Sequence, residues 1–342
     1  MSVTKKKFPI TAANTSKKTP EFCVTKNING KYFLDISSRY PINMWDRYSD
    51  LSREDLLKLV KGQSGILCSL ADRIDREVLD VAGPQLKVVS TMSVGYDHID
   101  AMECRNRGIQ VGYTPDVLTD AVAELTLGLL IATLRRMFEA GKALRSKSWL
   151  PGWEPFFMCG GTITGSVIGF IGAGRIGKRI MELLKPFKPS QILYITRNRV
   201  LSIETIEGQC PIIHCQQLSE LLTKSDIIVV CCSLNSSTKQ LLGEKQFEQM
   251  KSSAVVINTS RGAVIDQRAL YNALKTRTIA GAGLDVFEEE PLPPYDPLLE
   301  LDNVVLLPHI GSATVKARED IIKLAVKNLE AGLEGKPLPA GV

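Results

Sequence analysis

Along this chain, short apolar runs rich in β-branched residues alternate with segments in which apolar residues return every three or four positions. The clearest run is Val167-Ile168-Gly169-Phe170-Ile171, whose continuity suits a strand buried on both faces of a parallel sheet. From Lys178 to Lys185, Ile180, Leu183 and Leu184 recur at helical spacing, and Pro186 stops the helix. Before this point the pattern predicts strands at 22–25, 65–68, 87–91 and 109–111, with helices at 53–60 and 75–82. After it, strands are predicted at 192–196, 226–232, 254–259, 280–286 and 304–307, and helices at 218–222, 267–274 and 313–333. Strands alternating with helices predict an α/β protein: two Rossmann-like domains, each with a parallel sheet.

Two interruptions divide the pattern. Pro115-Asp116-Val117-Leu118-Thr119 precedes a long helix from about residue 120 to 136, which Thr119 or Asp120 can cap, and Pro308 to Gly311 precedes the last helix. We therefore expect a cofactor domain, 117–308, inserted into a discontinuous flavodoxin-like substrate domain, 22–116 and 309–342. An arm at 119–157 ends with Trp149, Pro151, Trp153 and Pro155. Such an arm covers a partner subunit or packs on its own domain; its aromatic composition favours the partner, and so a homodimer. Residues 1–21 form a basic tail with five lysines and no acid before Glu21. It reads as a disordered tail in a cytoplasmic protein; a mitochondrial transit peptide is the alternative, weakened by the lack of arginine and of an amphipathic face.

Composition narrows the function classes. The chain has 342 residues, 44% hydrophobic and 23% charged, enough to bury two cores. Its net charge of +5 is spread out, so no nucleic-acid-binding stripe is expected. The longest apolar helical stretch, Leu125 to Leu134, is broken by Thr126, Gly128 and Thr133 and is too short to cross a membrane. Eight cysteines include no CxxC pair, as in a reduced intracellular protein. Cys210, His214 and Cys215 cluster without zinc-site spacing, so no metal is expected.

The run at 167–171 leads directly into Gly172-x-Gly174-x-x-Gly177. Between a strand and a helix this spacing marks a dinucleotide site. Gly172 permits the tight turn, Gly174 admits a pyrophosphate to the backbone, and Gly177 lets helix and strand pack closely. The next strand ends Tyr194-Ile195-Thr196-Arg197-Asn198-Arg199, without the acid that binds ribose hydroxyls in NAD sites. Thr196 can hydrogen-bond, and Arg197 and Arg199 suit a 2′-phosphate, so NADP(H) is expected over NAD(H).

Three segments after predicted strands carry candidate catalytic groups. Arg261, in Asn258-Thr259-Ser260-Arg261-Gly262, presents a fork for a carboxylate and a carbonyl oxygen, or else a buried salt bridge. One acid of Asp285, Glu288, Glu289 and Glu290 could orient a histidine. His309, followed by Ile310, Gly311 and Ser312, is one of three histidines; His98 and His214 read as structural. A histidine held by a carboxylate can donate a proton to a carbonyl oxygen as hydride reaches carbon.

Those motifs, with Gly283-Leu284-Asp285-Val286, Glu290-Pro291-Leu292-Pro293 and Pro308-His309-Ile310-Gly311-Ser312-Ala313-Thr314, occur in an order and spacing that resemble the D-isomer-specific 2-hydroxyacid dehydrogenase family. The segments 90–98 and 111–120 resemble its animal members that reduce glyoxylate and hydroxypyruvate. The resemblance runs from about Phe22 to the C-terminus. It implies Arg261, Glu290 and His309 as the catalytic set, with His309 the acid in reduction. It implies Val94 and Gly95 N–H groups on the substrate carboxylate, with Arg261, His309, Ser312 and Trp153 also at the substrate. Gly172, Gly174, Arg175, Ile176, Gly177, the segment Thr196 to Arg199 including Asn198, Ser233, Thr259, Asp285 and Gly311 fall to the cofactor, Asp285 at the nicotinamide carboxamide. Trp153 would reach the neighbouring active site of a dimer. Ser93 replaces a glycine common in the family and is expected to narrow the carboxylate pocket. The expected activity is NADPH-dependent reduction of glyoxylate and hydroxypyruvate to glycolate and D-glycerate, with NAD(H) a possible substitute. Alternatives are another D-2-hydroxyacid dehydrogenase, such as a phosphoglycerate dehydrogenase, or a dinucleotide-sensing transcriptional corepressor on the same fold.

Overall fold

A computed structural model describes residues 20–47, 51–149, 153–197 and 210–342. The basic tail up to residue 19, Pro151, Asn198 and Arg199 lie outside the described residues. Contacts divide the chain into two compact units, residues up to 118 with 314–342, and residues 119–313. Both boundaries fall a few residues later than the chain pattern predicts. The second does so because Ile310 and Gly311 donate their N–H groups to Asp285, which keeps the 309–311 turn, His309 included, with the second unit.

The first unit runs β1 (Phe22–Val24), α1 (Leu34–Ser37), β2 (Ile42–Met44), α2 (Arg53–Val60), β3 (Gly65–Cys68), α3 (Arg76–Ala82), β4 (Val88–Thr91), α4 (Ala101–Asn106) and β5 (Gln110–Gly112). The second runs α5 (Thr119–Leu134), α6 (Met137–Arg145), β6 (Val167–Ile171), α7 (Arg175–Leu184), β7 (Gln191–Ile195), β8 (Ile212–His214), α8 (Leu218–Lys224) and β9 (Ile227–Val230). It continues with α9 (Glu244–Glu248), β10 (Val255–Asn258), α10 (Gln267–Lys275), β11 (Gly281–Leu284) and β12 (Val304–Leu306), after which α11 (Val315–Leu333) returns to the first unit.

In the first unit the sheet order is β2-β1-β3-β4-β5, all parallel, the flavodoxin order. α11 lies on this sheet, with Leu329 and Leu333 in one apolar cluster with Phe22, Leu67 and Val88. A Cβ on Gly332 would stand 2.5 Å from that of Val88, so glycine sets how closely this helix approaches. Asn328, fully buried on α11, donates to the Tyr113 carbonyl at 2.9 Å and accepts from the Ala340 N–H at 2.9 Å.

In the second unit the order is β12-β11-β10-β9-β6-β7-β8, again all parallel. The order of strand addition reverses between β6 and β9, and in such sheets ligands bind beyond the carboxyl ends of the strands at this point. Several elements differ from the predicted pattern. α7 starts at Arg175, not Lys178, because Gly174 serves as its N-cap. α6 lies inside the expected irregular arm, separated from α5 by left-handed Arg136 (φ 51°). The edge strands β2 and β8 have three residues each, too short to show a period.

Asn328→Ala leaves two part-buried backbone groups without their side-chain partner. It is expected to cost about 2 kcal/mol, seen as a lower urea midpoint for the first unit's signal, with the second unit's transition unmoved.

Candidate active site

The glycine turn after β6 has the geometry a diphosphate needs. Gly172 sits at φ 91°, and a Cβ there would meet the Cys232 backbone nitrogen at 2.6 Å. A Cβ on Gly174 would meet nothing within 4 Å, so this face of the turn is open to a ligand. Gly177 is buried, its Cβ position 3.0 Å from the Gly172 carbonyl oxygen. No side chain caps α7, which leaves its first N–H groups for an anion. Arg175 is exposed and Ile176 half-buried at this end. The backbone thus fits the diphosphate of a dinucleotide.

At the end of β7, Thr196 is half-buried and Arg197 exposed. Arg197 Nη2 donates to Asn235 Oδ1 at 2.9 Å and Ser237 Oγ at 2.5 Å. Both acceptors are neutral, so they aim the guanidinium without cancelling its charge. The same loop is tied down by Thr238 Oγ1 donating to the Ser233 carbonyl at 2.7 Å. Asn235 and Ser237 escape sequence patterning because only the fold brings the β9 loop to β7. The Thr259 hydroxyl is already committed. Thr126 Oγ1 donates to the Val122 carbonyl at 2.7 Å, so Thr259 donates to Thr126 at 2.8 Å and keeps only lone pairs for another contact.

The candidate catalytic residues meet in this same unit. His309 Nδ1 stands 2.6 Å from Glu290 Oε2, and Glu290 Oε1 accepts the Phe287 N–H at 3.0 Å. Burial works to raise the Glu290 carboxyl, but the hydrogen bond from His309, the Phe287 N–H and the charges of His309 and Arg261 outweigh it and hold the group below its ordinary value of 4.5. Among the four acids of 285–290, Glu290 is the one that meets the imidazole.

Arg261 reaches this neighbourhood because Gly262 lets two loops touch: a Cβ on Gly262 would overlap the Phe287–Glu288 peptide. Asn258 shapes the turn, donating to the Arg261 carbonyl at 2.9 Å and accepting from the Ser260 N–H at 3.0 Å. Gln267 supports the far side, accepting the Glu288 N–H at 3.1 Å and donating to Asp296 at 2.7 Å.

His309 itself adopts a left-handed conformation, φ 52°, which costs a non-glycine residue about 1 kcal/mol. The turn is held by Asp285. Its carbonyl accepts the His309 N–H at 2.9 Å, and its carboxylate accepts Ile310 N–H at 2.8 Å and Gly311 N–H at 2.7 Å. Burial pushes the Asp285 carboxyl up, and these two donors oppose the shift only in part. Asp285 is thus the anchor of the histidine turn, a role its place in an acidic run does not signal.

Ser312 is half-buried just past this turn, and Trp153 is 84% exposed. Val94 and Gly95 belong to the first unit, in the loop after β4. Among the described residues no group of three or more His, Cys, Asp or Glu is arranged to hold a metal ion, and no helix is long and apolar enough to cross a membrane. His214 packs edge-on against Tyr194, ring centroids 5.1 Å apart.

Residues 127–311 match the family model described as D-isomer specific 2-hydroxyacid dehydrogenase, NAD binding domain. The chain is 45% identical to human glyoxylate reductase/hydroxypyruvate reductase, over 93% of this chain and 96% of that protein. It is 48% identical to a glyoxylate reductase of Thermofilum pendens, over 84% of each. It belongs to the D-isomer-specific 2-hydroxyacid dehydrogenase family. Among solved structures it is similar to an NADPH-dependent glyoxylate/hydroxypyruvate reductase of Sinorhizobium meliloti in complex with NADP and malonate, with a TM-score of 0.80 and 31% identity, over 95% of this chain and 97% of that one. The chain is therefore an oxidoreductase of a family acting on CH–OH groups, with a nicotinamide dinucleotide as cofactor.

Two expectations follow from the geometry. Asp285→Asn sets an amide NH2 against one of the two backbone N–H groups. It is expected to cost about 2 kcal/mol in thermal or urea unfolding and to lower turnover with it. Because the Glu290 carboxyl is held below 4.5 in the folded chain, its contribution to stability is complete above the unfolded value and is lost as pH falls through the folded one. The stability gap between the wild type and Glu290→Gln should close as pH falls below about 4.5. A gap that does not close below that pH would contradict the pairing.

Proposed function

We propose that this protein reduces glyoxylate and hydroxypyruvate to glycolate and D-glycerate, with NADPH preferred over NADH. The observation that carries the reading is the 2.6 Å contact between His309 and Glu290, in the unit that also holds the open glycine turn. The names of the similar proteins supply the substrate class. Arg197, aimed by neutral partners, supports the preference for a 2′-phosphate.

In this reading the chemistry that a bound reduced nicotinamide would supply is a hydride for the carbonyl carbon. Protonated His309 gives its Nδ1–H to Glu290, which leaves the Nε2 proton for the carbonyl oxygen. Glu290 stabilises the imidazolium and fixes the ring. Arg261 receives the substrate carboxylate and polarises the carbonyl. Val94 and Gly95 N–H groups take the carboxylate, and Ser312 and Trp153 act at the substrate. Gly172, Gly174, Arg175, Ile176 and Gly177 hold the diphosphate; Thr196, Arg197, Asn198 and Arg199 the adenosine ribose and its phosphate; Ser233, Thr259, Asp285 and Gly311 the rest of the dinucleotide.

The proposed protein is a homodimer formed through the arm. Met137, Phe138, Leu144, Trp149, Trp153 and Phe156 are all exposed there, more apolar surface than an isolated subunit usually shows in one place.

The deciding measurement is initial rates with NADPH and NADH across glyoxylate, hydroxypyruvate and pyruvate. Turnover of the first two with NADPH favoured is expected; no turnover of any small 2-keto acid would reject the function, and preference for NADH would reject the cofactor assignment. His309→Gln should lower kcat by roughly 100- to 10,000-fold while NADPH affinity changes little.

A further inference from the structure

The loop after β4 contains a chain of hydrogen bonds with a determined direction. Thr91 Oγ1 lies 2.8 Å from Ser93 Oγ and 3.0 Å from His98 Nε2, and Ser93 Oγ lies 2.7 Å from the Gly95 carbonyl oxygen. A carbonyl can only accept, so Ser93 gives its single proton to Gly95. Ser93 must then accept from Thr91. Thr91, its own proton spent, must accept from His98. The three contacts are satisfied together only when His98 carries a proton on Nε2. The chain therefore runs from the imidazole, through two buried hydroxyls, to one backbone carbonyl.

That carbonyl belongs to the turn proposed to receive the substrate carboxylate. Ser93 is tied at two points, since its own carbonyl also accepts the Thr114 N–H at 3.0 Å beyond β5. Among the described residues the Val94 and Gly95 N–H groups donate to no protein acceptor, and both residues are only partly buried. A side chain replacing glycine is expected to narrow the carboxylate pocket, but Ser93 is buried and spends its hydroxyl on Gly95.

We propose that Ser93 is a positioning residue for the 2-keto acid: His98 Nε2–H, acting through Thr91 and Ser93, orients the Gly95 carbonyl and with it the two N–H groups that hold the carboxylate. The proposal rests on the reductase reading given above. A turn already held in its binding orientation has less to lose on ordering, so removing the brace weakens ground-state and transition-state binding alike. His98, structural by sequence pattern, becomes the source of the brace.

Two measurements test it. In steady-state kinetics Ser93→Ala should raise KM for hydroxypyruvate by about tenfold, with kcat and the dissociation constant of NADPH within about twofold of wild type. Independently, 15N NMR of histidine-labelled wild type, with the His98 signal assigned by its loss in His98→Gln, should show His98 protonated at Nε2. An unchanged KM in Ser93→Ala, or a proton on Nδ1 with Nε2 bare, overturns the proposal. Failure of the wild type to reduce any 2-keto acid would instead reject the reductase reading, and the NMR result, which needs no substrate, would still report on the brace.

Discussion

The second unit depends on one buried carboxylate that is satisfied by backbone rather than by a cation. Asp285, at the end of β11, receives Ile310 and Gly311 N–H groups on its two oxygens. Those bonds help hold His309 in its left-handed conformation, where a side chain other than glycine is strained. Burying the carboxylate is itself unfavourable, as its upward shift records. Two short hydrogen bonds offset part of that cost and fix a turn in return. The imidazole is then delivered to Glu290, and a pair 19 residues apart in the chain closes to 2.6 Å.

The same economy of polar contacts recurs around the unit. Gly262 lets the Arg261 loop lie against the Phe287–Glu288 peptide, so the guanidinium adds its charge to that holding Glu290 ionised. Asn258 and Gln267 brace the two loops from either side. At β7, Arg197 is aimed by an amide oxygen and a hydroxyl. A carboxylate in their place would hold the arginine as firmly but neutralise it, and an anion would gain little from approaching. At Arg197 a charged group is positioned by neutral partners, which leaves its charge for a ligand.

The two units use small residues for opposite ends. In the second, Gly172 and Gly177 bring β6, β9 and α7 together while Gly174 faces open space. In the first, Gly65 and Gly332 let α11 sit close on β3 and β4, which returns the chain's last helix to the unit where the chain begins. A helix joined so late in sequence closes the sheet with apolar side chains and one buried asparagine, whose amide satisfies backbone groups at Tyr113 and Ala340.

Local sequence determined the strand-and-helix alternation, the α/β class and the glycine turn, because a parallel strand buried on both faces must be continuously apolar and a diphosphate turn must lack side chains. Ser52, Asp75 and Asp266 each accept an N–H from the helix that follows, caps that the apolar pattern does not mark. The edge strands β2 and β8 were not marked by the pattern. Among the acids from Asp285 to Glu290, no residue-level feature separated the one that meets His309 from the one that anchors its turn; the resemblance pointed to Glu290, and the 2.6 Å contact puts it there. The hydrogen-bond partner of Ser93 was hidden for a related reason. Pattern tells which positions are buried, but the partner of a buried hydroxyl is chosen by atoms brought close through folding. The carboxylate–imidazole pair, the brace on Arg197 and the hydroxyl chain from His98 are long-range or directional contacts, and only the tertiary structure decides those.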